Sequence, residues 1–253
     1  MNSSELPMHG GAEATRLDVV GLSAGYGAER VIDHVSFATH GGRLVGIVGP
    51  NGVGKSTLVK VMLGLVHTAR GEVLLDGMAM TRQPHRLAYV PQRAEIDWDY
   101  PTTAAEMVAM GATPRHGLGW LTRPVARAAD ALQRVGLQAQ ANLPIAELSG
   151  GQRQRALLAR ALQRNADVIV LDEPFAAVDM ASETVIWREL SGLRDAGKLV
   201  LVVHHDLATA RDHFDDCLLM APGSAVFGPP SAVLAPAALN RAYAPRESAL
   251  CVA

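Results

Sequence analysis

Gly49-x-x-x-x-Gly54-Lys55-Ser56, within the run GPNGVGKST, lies between an apolar stretch (Leu44 to Val48) and a second periodic apolar stretch holding Leu58, Val59, Met62 and Leu63. Glycines at 49, 52 and 54 remove side chains where the backbone must bend sharply and approach another group closely. Backbone N–H groups turned inward by such a loop, with the partial positive charge of a helix N-terminus, form a cradle for phosphate oxygens. Lys55 adds a full charge toward the outer phosphates, and the Ser56 hydroxyl can ligate Mg²⁺. The position after a strand and at a helix start separates this pattern from a glycine-rich turn that binds nothing. Gly49, Pro50, Asn51, Gly52, Val53, Gly54, Lys55, Ser56 and Thr57 are therefore candidate nucleotide ligands.

A phosphate loop needs a metal anchor and a means of attacking the outer phosphate. VIVLDEP, residues 168–174, supplies two carboxylates at the end of an apolar strand. Asp172 would hold Mg²⁺ through water, and Glu173 would polarise the attacking water as general base. The alternative for this run is a strand followed by a solvated acidic turn. LSGGQRQR, residues 148–155, places Ser149 as an N-cap before Gly150 and Gly151, and a helix follows. That is a second anion-binding helix terminus in one chain, where the plainer alternative is a capped helix with a basic face.

These residues must be carried by strands and helices in alternation. Leu44–Val48, Val168–Leu171 and Leu199–Val203 are short, nearly unbroken apolar runs, as expected of parallel strands covered on both faces. Ser56–Leu65, Gly151–Arg164 and Ser182–Ala196 carry apolar residues at helical spacing. The expected fold class is α/β, a P-loop NTPase core with a mixed or parallel sheet. Residues 17–40 read as short strands with turns, an antiparallel β flank. Residues 93–145 carry no sheet-like run and read as an α-helical insertion, with helices in TTAAEMVAMG and RPVARAADALQRVGL. Beyond about residue 221, glycine and proline punctuation leads to a final turn and helix.

The phosphate loop, LSGGQ and VIVLDEP stand in the order and rough spacing of the ATP-binding subunits of ABC transporters, which the chain resembles over nearly its whole length. The resemblance implies one ATPase domain over 16–253 after a leader at 1–15. Its core with β flank would be 16–92 and 146–230, its α-helical subdomain 93–145 and its C-terminal tail 231–253. It implies that Tyr26, in AGYG, stacks on adenine. Gln92, in YVPQ, would sense Mg²⁺ and the membrane partner, and His205, in VVHHDL, would be the switch histidine at the γ-phosphate. His204 stands where the family usually has Thr or Ser, so an exchange of roles between the two histidines stays open. Asp179, in AAVD, matches the loop that crosses a dimer interface. The resemblance further implies that two copies close head to tail around two ATP molecules, with Ser149, Gly150, Gly151 and Gln152 serving the partner's nucleotide. Integral membrane permease subunits and an extracytoplasmic substrate-binding protein complete such a system.

YVPQRAEIDWDYPTTAAEMVAMG, LGWLTRP and FGPPSAVL are similar to the manganese, zinc and iron importer branch of that family. Siderophore, haem or cobalamin import is the alternative within the family. A soluble ABC-type ATPase acting on nucleic acid or ribosomes, and a nucleotide-binding regulator that does not hydrolyse, are the alternatives outside transport.

Composition agrees. The 253-residue chain is 49% hydrophobic, enough for a sizeable core, and its net charge of −2 gives no general pull toward nucleic acid. No apolar segment approaches the roughly 20 residues that span a bilayer, and no secretory signal opens the chain. The expected location is the cytoplasmic face of a membrane, reached through a partner. Cys217 and Cys251 have neither disulfide-framework nor metal-ligand spacing.

Overall fold

The computed structural model describes residues 14–26, 29–92, 96–112 and 123–243. Strands β1 (Arg16–Tyr26), β2 (Glu29–His40) and β3 (Arg43–Val48) are followed by helix α1 (Lys55–Met62), then β4 (Thr68–Leu75), β5 (Met78–Ala79) and β6 (Leu87–Val90). A helical stretch holds α2 (Ala104–Ala109), α3 (Arg123–Arg134) and α4 (Gly150–Gln163). Strand and helix then alternate through β7 (Val168–Asp172), α5 (Met180–Asp195), β8 (Leu199–Val203), α6 (Leu207–His213) and β9 (Asp216–Ala221). The chain continues with β10 (Ser224–Gly228), α7 (Pro230–Val233) and α8 (Pro236–Tyr243).

Six strands form one sheet in the order β10-β9-β3-β8-β7-β6. All neighbours in it are parallel except β9 and β10. Every residue of β7 and β8 is buried, which explains why these strands are near-continuous Val, Ile and Leu. Because strand side chains alternate between faces, each central strand feeds two cores. Leu44, Val48, Ile169, Leu171, Val200 and Val202 pack toward the helical side. Val45, Ile47, Val168, Val170, Leu199, Leu201 and Val203 pack against α1 and the second sheet. That second sheet is antiparallel, in the order β2-β1-β4-β5.

The flank differs from the expected short strands: β1 and β2 run 11 and 12 residues. Three register shifts between them absorb the turn-like LSAGY without ending the pairing. Gly21 sits at one shift with φ +56°, and this is what made the segment read as broken. The C-terminal region holds a strand and two helices rather than one turn and helix. β10 pairs with β9 through a tight turn at Gly223, φ +76°. The three helix expectations in the core hold with ends shifted by one to three residues at α1, α4 and α5.

At the lower ends of β6, β7 and β8 an ion cluster ties the two sheets together. Arg86 reaches Asp76 and Asp167 at 2.7 Å each, and Lys198 reaches Asp167 at 3.2 Å. Burial pushes the Asp167 carboxyl up, but Arg86 and Lys198 outweigh it and hold it below its usual value. Cys217 is a free, fully buried thiol, pushed up to about 12 by burial, so it is inert at neutral pH. Cys251 lies outside the described residues.

Candidate functional site

The strand order determines what meets at the upper rim of the sheet. β6, β7, β8 and β3 are neighbours, parallel and in register: Leu171 pairs with Val202, Asp172 with Val203, and Ile47 with Val203. Their carboxyl ends therefore deliver Gln92, Asp172 with Glu173, His205 and the glycine loop to one place, as open α/β sheets do. A cleft of about 580 Å³ opens there, lined by Val31, Asn51, Gly52, Gly54, Lys55, Ser56, Thr57, Gln92, Glu173 and His205.

The loop between β3 and α1 uses glycine for two different reasons. At Gly49, φ +147°, a Cβ would lie 2.3 Å from the Met220 carbonyl oxygen, so the next strand excludes any side chain. At Gly54, φ +102°, which caps α1, a Cβ would lie 2.8 Å from Val31 Cγ1. Lys55 opens the helix only 6% exposed, and its Nζ donates to the carbonyls of Gly49 at 2.9 Å and Pro50 at 3.0 Å. An ammonium has three protons, so these two bonds orient the head group at the cleft without using it up. Burial lowers the Lys55 pKa, and the Glu173 and Asp172 charges counter it.

Ser56 Oγ donates to Asp172 Oδ1 at 3.0 Å, bringing a hydroxyl and a carboxylate together from α1 and β7. Asp172 is 1% exposed. An all-oxygen pair of this kind suits a hard divalent cation, so the residues present fit Mg²⁺. Beside it, Gln92 Nε2 donates to Glu173 Oε2 at 3.2 Å. Glu173 has φ +50°, a left-handed conformation unusual for a side-chain-bearing residue. Such strain, of order 1–3 kcal/mol, persists where the surroundings over-determine it and is concentrated at functional sites.

The two histidines after β8 part company. His205 lines the cleft. His204 is 3% exposed and lies among aromatic rings, edge-on to Phe175, Trp187 and Phe214 with ring centroids 5.3 to 5.9 Å away, while its ring stays 5.6 Å from that of His205. Burial, then the neighbouring His205, lowers its pKa to about 4, while Asp206 acts weakly in the opposite sense and His213 adds to the lowering. The unfolded chain protonates this histidine near 6.5 and the folded one only near 4, so stability contributed above 6.5 is lost as pH falls toward 4. The difference amounts to about 3 kcal/mol. Urea midpoints measured at pH 7 and pH 4.5 should fall less for His204→Phe than for the wild type. Parallel profiles would refute the assignment.

Ser149, Gly150, Gly151 and Gln152 do not line the cleft. They form the start of α4, with a reciprocal capping box: Ser149 N donates to Gln152 Oε1 at 2.8 Å and Gln152 N to Ser149 Oγ at 3.3 Å. Asp179 caps α5 by accepting from Ser182 N and Ser182 Oγ, both at 2.8 Å, and these bonds lower its pKa. A Cβ on Gly151 would lie 2.3 Å from Asp179 Oδ2, so glycine lets the two helix starts touch. Tyr26 ends β1 and is 54% exposed, outside the cleft lining. Pro50, Asn51, Gly52 and Val53 line a second cleft of about 450 Å³ with Arg30, Val31, Asp33, Pro222 and Gly223. Val31 borders both clefts and had no sequence signal, because only the β1–β2 pairing places it there.

Comparison with known proteins gives the family. Residues 32–176 match the ABC transporter family model. The manganese transport system ATP-binding protein MntB of Bacillus subtilis is 45% identical, over 89% of this chain and 91% of that protein. The zinc transport system ATP-binding protein TroB of Treponema pallidum is also 45% identical, over 83% of this chain and 79% of that protein. Among solved structures, a metal-chelate type ABC transporter in an inward-facing conformation is similar at a TM-score of 0.77 and 26% identity, covering 90% of this chain and 89% of that one. A cleft that joins a glycine-rich phosphate cradle to Glu173, on a chain matched over most of its length by such relatives, identifies it as a member of the ABC transporter family, an ATP-binding and ATP-hydrolysing subunit.

Proposed function

We propose that the chain powers import of a divalent metal ion, manganese, zinc or iron, as one of two identical ATPase subunits closing head to tail beneath a membrane permease. The observation that carries the metal reading is the likeness, over most of the chain, to proteins named as manganese and zinc transport ATP-binding subunits. Among the described residues no helix is long and apolar enough to cross a membrane. The subunit works from the cytoplasmic face, held by its permease, with an extracytoplasmic binding protein delivering the ion.

In this reading residues 16–92 and 146–230 are the catalytic core, 93–145 the helical subdomain and 231–253 the tail. The backbone of residues 49–57 and Lys55 hold the triphosphate, and Tyr26 stacks on adenine. Ser56, Asp172 and Gln92 would hold Mg²⁺, and the bound ion would neutralise charge on the phosphate oxygens. Glu173 takes the proton from the attacking water, and Gln92, hydrogen-bonded to it, fixes its carboxylate. His205 contacts the outer phosphate from β8. The serine-capped start of α4, where Ser149 is exposed, closes over the nucleotide of the opposite copy, and Asp179 lies at the seam. Donors on both sides of one anion make closure depend on the triphosphate, and cleavage releases it.

Transport of a metal chelate is the second reading, favoured by the solved transporter of that type. Its 26% identity against 45% for the manganese and zinc relatives places it second. Cells lacking the chain, complemented with wild type or Glu173→Gln, should separate the two. Only wild type should restore uptake of radiolabelled manganese, zinc or iron supplied as the free ion. Restoration confined to a chelated form would support the second reading.

A further inference from the structure

Trp98 lies on the short described segment that follows Gln92, and its ring covers the Arg153 guanidinium at 4.9 Å. Ile96 and Trp98 pack onto the core while Asp97, Asp99 and Tyr100 stay exposed, so the indole faces inward. Arg153 is one turn into α4. Its backbone N–H donates to the Ser149 carbonyl at 2.8 Å, and its Nη2 donates to the Ala146 carbonyl at 2.7 Å. The guanidinium thus joins the turn before Ser149 (residues 145–147), the first turn of α4, and the segment leading from Gln92. An arginine carries four rotatable bonds, and a ring stacked on its face removes most of that freedom.

We infer that Trp98 is a positioning residue for the Ser149–Gln152 helix start: by clamping Arg153 it sets the orientation in which that terminus meets the phosphate held by the opposite copy. The inference rests on the head-to-tail reading above. Trp98 does not line the cleft of its own chain, so its effect falls on the partner's turnover and not on its own nucleotide affinity.

The test uses the full-length chain. Trp98→Ala should lower kcat about fivefold, the size expected for a partly buried cation–π contact, with ATP affinity unchanged. Trp98→Phe should restore most of it, and Trp98→Leu, which fills the space without a ring face, should not. Excess Lys55→Ala protein is then added to Trp98→Ala protein. Lys55→Ala contributes an intact α4 terminus but no working phosphate loop, so each Trp98→Ala chain gains a sound partner and its turnover should rise to that of wild type mixed the same way. Ser149→Phe, which blocks the helix start directly, is the control and should rise likewise. If the control rises and Trp98→Ala does not, or if Trp98→Ala alone turns over normally, the inference is overturned and the dimer reading stands. If neither rises, the head-to-tail reading fails and takes the inference with it.

Discussion

Glu173→Gln should bind ATP like the wild type, release phosphate about 10²- to 10⁴-fold more slowly, and accumulate as an ATP-held dimer. The magnitude is that of removing a general base. The structure makes this a clean substitution. Gln92 Nε2 donates to Glu173 Oε2, and a glutamine amide oxygen can accept the same bond. The φ of +50° is no harder for glutamine than for glutamate, so folding stability should change by no more than about 0.5 kcal/mol. Lys55 keeps its bonds to Gly49 and Pro50, so the cradle stays formed. Phosphate release and ATP-dependent mass by light scattering are the measurements. Near-normal turnover would remove Glu173 from the base role.

Lys55→Ala should weaken ATP binding by about 30- to 100-fold, the equivalent of a lost charge-assisted contact to phosphate. The side chain is nearly buried and held by two carbonyls of its own loop, so it is aimed before nucleotide arrives. Lys55→Arg should not restore affinity, because a planar five-donor fork does not fit a slot built for a compact ammonium. Equilibrium binding of a fluorescent ATP analogue reads both variants. Unchanged affinity in Lys55→Ala would contradict the assignment of the loop.

What could be read from residues alone was set by how local the cause is. The glycine loop was legible because its conformation is written in positive φ values and close approaches that only glycine permits, at Gly49 and Gly54. The buried strands were legible because β7 and β8 are covered on both faces and admit little but Val, Ile and Leu. The sequence left the two histidines open. The structure sends His204 into the aromatic cluster around Trp187 and His205 to the cleft, a separation that depends on Phe175 and Phe214 arriving from other elements. Long-range pairing hid the rest. Gly21 reads as a turn, yet β1 continues through it because β2 and β4 hold it on both sides. Trp98 gave no sign of its contact with Arg153, 55 positions along the chain. The contact of Gly151 with Asp179 is equally invisible in the sequence, since the two residues lie 28 positions apart and only the fold brings them together.

The glycine loop lines the cleft and the serine-capped start of α4 does not, and in the proposed function that second terminus serves the nucleotide of another copy. A structure of Glu173→Gln with ATP and Mg²⁺ tests this most directly. Two chains should face each other head to tail, with Ser149 to Gln152 of each against the outer phosphate held by residues 49–57 of the other. ATP bound in a single chain or a parallel pair, with those four residues turned away from any phosphate, would contradict the account.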